Sequence, residues 1–347
     1  MWQVIGQTRT VSFLQHSLDT GMMTHAYLLV GPAHVGKMTV ALDLAGALNC
    51  ESAERPCQQC ASCLKIQAGN HADVRVIDLT MNEDETEATR IKVDQVEELQ
   101  HDASLPPFEG RHKVFIINDA DQMSTGAGNR LLKTLEEPTD RVTFILLTAN
   151  EKGMLPTVVS RCQRLELRPL PPGEIAAALV ERYGLEPAKA GLLAAVSHGC
   201  PGWAIAAAAD ESLLQQRREG LNRLPAVIAA GQEERFTLAA ELATRFGRSR
   251  TAIYSLLDTW LDYWRDLMLV KWGCCDIITN IDRKDELIGI AAGYTGEQIT
   301  ACIDSIITAA GQLRSNANAR LALEVLMLDI PGKEGSGDIK ATRVRHG

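Results

Sequence analysis

The sequence predicts an α/β domain on a parallel sheet, followed by an all-helical region. Three observations carry this. Short apolar runs at Ala26–Val30, Val74–Asp78, Val114–Asn118, Phe144–Thr148 and Arg164–Arg168 are separated by helix-length segments, the pattern of strand–helix–strand units. A G-x4-G-K stretch, Gly31 to Lys37, lies between the first strand and the first helix, where a phosphate-binding loop belongs. After Arg168-Pro-Leu-Pro-Pro-Gly173 no strand pattern recurs.

The elements follow in order. The loop leads into a helix over Thr39–Asn49, with Val40, Leu44, Ala47 and Leu48 as its apolar face. Between residues 78 and 102 there are nine acidic and two basic side chains. Asn82 to Thr89 is too polar to pack and reads as a mobile loop. A helix then begins at Asp94, as N-cap, with Glu97 completing a capping box. Another runs from Ala127 to Glu137 and is stopped by Pro138. Beyond the Pro-rich linker, Glu174–Tyr183, Ala188–His198 and Ala204–Asp210 read as short helices. Ile253, Leu256, Leu257, Trp260, Leu261, Trp264, Leu267 and Met268 fall at helical spacing, as do Ile299, Cys302, Ile303, Ile306 and Ile307. Arg320–Leu328 is a last apolar helix, and the glycine-rich, charged tail from Pro331 reads as disordered.

Composition narrows the function. A chain of 347 residues, 46% hydrophobic and 23% charged, is that of a soluble protein of two or three domains. Its 44 acidic and 35 basic residues, net −9, argue against a protein that grips nucleic acid unaided. Aromatics at 5% argue against stacking platforms for single strands. No apolar run would span a bilayer, and residues 1–20 lack the apolar core of a signal peptide. A cytoplasmic protein is expected, its nine cysteines reduced or metal-bound.

Four of those cysteines, Cys50, Cys57, Cys60 and Cys63, are spaced C-x6-C-x2-C-x2-C. Thiolates at such intervals can close on one tetrahedral ion, which predicts a structural zinc site without an open coordination position. Free thiols or an iron–sulfur cluster are the alternatives. Cys162, Cys200, Cys274, Cys275 and Cys302 lack ligand spacing and read as small packing residues.

In the phosphate loop, Gly31, Gly36 and Lys37 are in place, but Met38 stands where a hydroxyl should bind Mg²⁺. Thr39 is one position late, about 100° around the helix. The strand at Val114–Asn118 ends in Asn118-Asp119-Ala120-Asp121. Asn118 occupies the place of the Mg²⁺ carboxylate, and Asp119 that of the acid orienting the attacking water. Two losses at one metal ion argue against ATP hydrolysis by this chain. Binding of nucleotide through Lys37, Thr39 and the backbone, with Asp119 at its edge, stays open.

Asn129-Arg-Leu-Leu-Lys-Thr-Leu-Glu-Glu-Pro138 is nearly a motif of the bacterial clamp-loader subunits of DNA polymerase III, and Ser160-Arg161-Cys162 resembles another. The four cysteines match the zinc module of that family. Ile91–Leu99, Trp260–Trp272 and Asn318–Leu326 are also similar, so that the resemblance covers residues 1 to about 330. It implies an AAA+ P-loop domain at 1–167 with the zinc module at 50–63, a helical lid at 168–211 and an all-α collar at 212–330, with the tail at 331–347. Met38 and Asn118 set the chain apart from the motor subunits gamma and tau. The resemblance then implies a rigid stator without polymerase activity, assembled with delta and gamma/tau to load a sliding clamp onto primed DNA. It implies that Arg161 points, as an arginine finger, at ATP on a neighbouring motor subunit. Trp203 takes a place where the family often has a nucleotide-sensing arginine, which weakens nucleotide binding in cis further. Lys133 has no role that follows from the residues. The rival readings are an active motor-type AAA+ ATPase and a zinc-containing interaction protein.

Overall fold

The computed structural model describes residues 1–79, 91–315 and 317–332. Residues 82–89, expected as a polar loop, and most of the tail lie outside them. The chain divides into two units, Met1–Ala190 with Ser197–Ile205, and Gly191–Val196 with the chain from Ala206 onward.

The first unit runs α1 (Thr8–Thr20), β1 (Ala26–Val30), α2 (Lys37–Asn49), α3 (Ala61–Gln67), β2 (Val74–Ile77), α4 (Val93–Ser104), β3 (Lys113–Ile117), α5 (Thr125–Glu136), β4 (Val142–Thr148), α6 (Pro156–Val159), β5 (Gln163–Glu166), α7 (Pro172–Tyr183) and the first residues of α8 (Pro187–Val196) and α9 (Pro201–Ala209), which are divided between the units. The five strands form one sheet in the order β2-β3-β4-β1-β5, and every pairing is parallel. β1, β3 and β4 are buried along their whole length. Strands covered on both faces need apolar side chains at every position, not at alternate ones. The period-two alternation decides which cover each residue meets. Tyr27 and Leu29 join the core with Leu14, Val40 and Leu44 of α1 and α2. Ala26, Leu28 and Val30 join Leu99, Leu131 and Leu135 of α4 and α5.

All five expected strands form, the first with the expected ends and the others with shifted ends. The third is Lys113–Ile117, which leaves Asn118 just beyond it, and the fifth is Gln163–Glu166. The first helix of the loop starts at Lys37, because Gly36, left-handed at φ 107°, is its N-cap. α4 is capped at Lys92, not Asp94. The Gln95 side chain accepts the Lys92 N–H at 3.0 Å, and Asp94 lies inside the first turn, where an acid suits the helix dipole. α5 begins at Thr125 because the Ser124 hydroxyl accepts the Ala127 N–H at 3.2 Å. The sequence pattern does not show α1, α3 or the single turn of α6.

The second unit contains α10 (Glu211–Ala229), α11 (Gln232–Arg248), α12 (Arg250–Lys271), α13 (Lys284–Ala291), α14 (Gly296–Arg314) and α15 (Ala319–Asp329). The sequence pattern does not show α10, α11 or α13. The Trp260/Trp264 stripe is core: both rings are fully buried, Trp260 donates to the Gly220 carbonyl at 3.0 Å, and Trp264 meets Tyr294 edge-on. Buried Asp266 accepts the N–H groups of Thr279 and Asn280 at 2.9 and 2.6 Å, which pins the α12–α13 connection. Among the described residues no helix is long and apolar enough to cross a membrane.

In the sheet unit, Asp73 ties the segment before β3 to the start of β2. Its carboxylate accepts N–H bonds from Phe108, Glu109 and Gly110 at 2.6–2.8 Å. Burial pushes its pKa up, but these bonds outweigh it and hold it below the ordinary carboxylate range. A carboxylate with a depressed folded pKa contributes stability that is complete above its unfolded value of about 3.9 and is lost as pH falls through the folded value. Asp73→Asn should therefore cost about 1–3 kcal/mol at neutral pH, and the difference should shrink on acidification. Urea unfolding of both proteins at neutral and acidic pH measures it.

Candidate functional site

The carboxyl ends of β1, β3 and β4 open onto the G-x4-G-K loop. The loop is tight for a backbone reason. A Cβ on Gly31 would lie 2.5 Å from the Leu167 carbonyl oxygen, and Gly36 occupies a conformation that disfavours side chains. Lys37 is 8% exposed and folds back on the loop, its Nζ donating to the carbonyls of Gly31 and Pro32 at 2.7 and 2.9 Å. Burial lowers its pKa, against the opposing pull of Asp119 and Asp121. Asp119 is raised by burial and by Asp121, while Lys37 acts the other way. An ammonium and two carboxylates therefore share one partly desolvated spot.

The groups expected at Mg²⁺ are otherwise engaged. Met38 packs against the core between α2 and the sheet. Asn118 donates through Nδ2 to Asp78 Oδ1 at 3.0 Å. Thr39 lines a pocket shared with Gln3, Asp43 and Gln58. Three further polar residues at this edge escaped the sequence reading: Asp78 after β2, Asp121 after β3 and Thr148 at the end of β4. Thr148 Oγ1 donates to Asp121 Oδ1 at 2.6 Å. The available signal was their place at strand carboxyl ends, where open parallel sheets bind ligands. Also unforeseen is the contact of α9 with the loop. The Gly202 N–H donates to the His34 carbonyl at 2.9 Å, and a Cβ on Gly202 would stand 2.8 Å from that oxygen. Trp203 follows directly.

The four cysteines converge, their sulfurs all within 4.8 Å of one another. Cys50 ends α2, Cys60 caps α3 and Cys63 lies inside α3. N–H groups point at the sulfurs: Cys57 to Cys50 at 3.4 Å, and Gln59 and Cys60 to Cys57 at 3.5 and 3.3 Å. These last two bonds draw the Cys57 thiol down to about 6, whereas burial pushes Cys63 up to about 12. A tetrahedral zinc with bonds near 2.3 Å needs sulfurs about 3.8 Å apart, and Cys50 and Cys60 stand at 4.0 Å. The donor set fits, so the cluster could hold one zinc ion, which would keep all four as thiolates.

The module is tied to the chain start. Gln58 Nε2 donates to Asp43 Oδ1 at 3.0 Å and to the Met1 carbonyl at 3.1 Å, and Asp43 Oδ2 accepts the Gln3 and Val4 N–H groups at 2.7 and 3.1 Å. Of the other cysteines, Cys302 is buried in the helical unit and Cys162 packs against the α5 side of the sheet, its thiol pushed up to about 12 by burial. Cys274 corrects the packing reading: it is exposed, because its segment follows the end of α12.

Arg161 lies two residues past α6, apart from the phosphate loop's own hydrogen bonds. Its Nη1 donates to the Thr157 carbonyl at 2.9 Å, and its Nη2 meets Glu136 Oε1 at 2.5 Å. Lys133 is exposed on α5.

A family model described as "DNA polymerase III, delta subunit" matches residues 6–171. DNA polymerase III subunit delta' of Bacillus subtilis (strain 168) is 30% identical over 323 residues, 93% of this chain and 95% of the relative. The chain belongs to the family of DNA polymerase III delta-prime subunits. It is thus a clamp-loader subunit homologue, with a P-loop AAA+ domain and a helical C-terminal part. DNA polymerase III subunit tau of Escherichia coli (strain K12) is 36% identical over 169 residues, which is 48% of this chain but only 25% of tau. A solved gamma subunit-related protein of Thermotoga maritima aligns with a TM-score of 0.43 and 18% identity, covering 91% of this chain and 98% of that one.

For the delta-prime homologue the cysteine geometry yields one expectation. Purified protein should carry one zinc per chain by elemental analysis, and chelation should lower the melting temperature, since metal binding here contributes folding energy. Four freely titratable thiols and no metal would refute the assignment of Cys50, Cys57, Cys60 and Cys63 as ligands.

Proposed function

We propose that this chain is the non-hydrolysing stator of a bacterial clamp loader. It assembles in the cytoplasm with delta and gamma/tau subunits, helps to place the sliding clamp on primed DNA, and lends Arg161 to ATP held by a neighbouring motor subunit. In this reading residues 1–167 form the AAA+ domain, 168–211 the lid and 212–330 the collar that holds the ring.

The observation that carries the reading is the fate of the two Mg²⁺ positions. Met38 is given to packing and Asn118 to a hydrogen bond with Asp78. Neither supplies charge or a hydroxyl to a metal ion. Gly31, Gly36, Lys37, Thr39 and Asp119 remain as a degenerate nucleotide site, with the Lys37 ammonium already bonded to its own loop. Hydrolysis needs the developing charge on the γ-phosphoryl group to be neutralised. A chain that cannot do so for itself can still do so for another, because a guanidinium needs no metal to act and stays charged at any working pH.

Two outcomes test this. The isolated chain should show no Mg²⁺-dependent ATP turnover above background. Turnover by the wild-type chain that disappears in Lys37→Ala would reverse the assignment. In a reconstituted loader, Arg161→Ala should lower DNA- and clamp-stimulated turnover without loss of assembly by gel filtration. An arginine finger contributes about 10³–10⁵ at its own site; the fall for the whole loader should be smaller, because other motor sites keep their fingers. Arg161→Lys should rescue poorly, since an ammonium lacks the planar fork. Equal rates for wild type and Arg161→Ala would remove Arg161 from the mechanism.

A further inference from the structure

Arg161 is held from two sides. The Thr157 carbonyl accepts from Nη1, and Nη2 forms an ion pair with the Glu136 carboxylate. Among the described residues the other guanidinium N–H donors, Nε included, have no partner.

Glu136 is the last residue of α5. A carboxylate there faces the negative end of the helix dipole and is unfavourable unless a cation meets it. The helix that carries it cannot shift easily. Leu131 and Leu135 are buried in the core, and at Gly128 α5 runs so close to the α6 segment that a Cβ would stand 2.7 Å from Leu155 Cδ1. The carboxylate is thus on a rigid element, while the guanidinium sits at the end of a long side chain. The two side chains are 35% and 50% exposed. A pair so exposed adds little to stability, so its consequence is geometric.

We propose that Glu136 is a positioning residue for Arg161. Together with the Thr157 carbonyl it fixes two corners of the guanidinium, and the unbonded donors are left to meet the γ-phosphoryl oxygens of a nucleoside triphosphate on a neighbouring chain. This rests on the reading of Arg161 as a finger in trans. In the step served, water oxygen bonds to the γ-phosphorus as the bond to the β–γ bridging oxygen breaks. ADP and inorganic phosphate leave, and the water proton passes to solvent. Glu136 touches none of these atoms. It restricts the rotamers open to Arg161 and so lowers the ordering cost at the transition state.

The test is a cycle in the reconstituted loader with Glu136→Gln, Arg161→Ala and the double variant, each confirmed as fully assembled. Glu136→Gln keeps the shape of the side chain and removes its charge. It should lower stimulated kcat about threefold, leave KM for ATP unchanged, and fall short of the loss in Arg161→Ala. In the Arg161→Ala background it should add nothing, because its effect passes through that guanidinium. Wild-type kcat in Glu136→Gln beside an impaired Arg161→Ala would overturn the proposal and leave the finger reading intact. The same loss from Glu136→Gln in both backgrounds would also overturn it, as a merely structural effect. A wild-type rate in Arg161→Ala would overturn the finger reading and this inference with it.

Discussion

The carboxyl edge of the sheet depends on one close approach, that of the Gly31 backbone to the Leu167 carbonyl. A side chain at Gly31 would overlap that oxygen, at 2.5 Å from its Cβ. The contact lets the chain leave β1 sharply and enter α2, while the Gly31 N–H is taken by the Thr148 carbonyl of β4 at 3.1 Å. One glycine therefore brings together the chain after β5, the end of β4 and the start of the loop. Lys37, Asp119, Asp121 and Thr148 meet because the strands that carry them end at the same edge. The buried apolar runs of β1, β3 and β4 then keep that edge aligned.

At this edge the electrostatics are self-contained. Lys37 is buried enough for its ammonium to be penalised; Asp119 and Asp121 oppose that penalty without cancelling it, and the ammonium donates to its own loop carbonyls. An arriving polyphosphate would have to compete with partners already in place, and with no Mg²⁺ ligand at position 38 or 118 to help. The loop keeps the shape of a nucleotide site because the glycines and the sheet demand that shape. Its chemistry is set by side chains that can change without disturbing the backbone. Shape and side-chain chemistry are therefore separable here.

The cysteine module and Arg161 show two ways of fixing a segment. The module is a short segment with little apolar core of its own, stitched to α2 and the chain start through Gln58 and Asp43. A metal ion would replace the missing core. Arg161 instead borrows rigidity from α5 and α6, whose packing is set by Gly128 and Leu155. In each case a polar side chain is held by an element formed for other reasons.

The sequence by itself determined the sheet, the loop and the cluster of four cysteines. Buried strands, a G-x4-G-K turn and C-x2-C spacing are local signals, and each reflects chemistry within a few neighbouring residues. It also showed the defects at Met38 and Asn118, because a missing hydroxyl or charge is visible in one letter. α1, α3, α6, α10, α11 and α13 were not legible, since they are short or polar residues interrupt their apolar faces, and packing completes them. α4 is capped at Lys92, not Asp94, because the Gln95 side chain three residues on accepts the Lys92 N–H. Tertiary structure alone decided that Asp121 faces Lys37 and holds Thr148, that Asp78 holds Asn118, that Gly202 docks on His34, and that Glu136 meets Arg161. These pairs lie 25 or more residues apart in the chain, and no periodicity links them. Their partners are chosen by strand order and helix packing, which only the folded chain specifies.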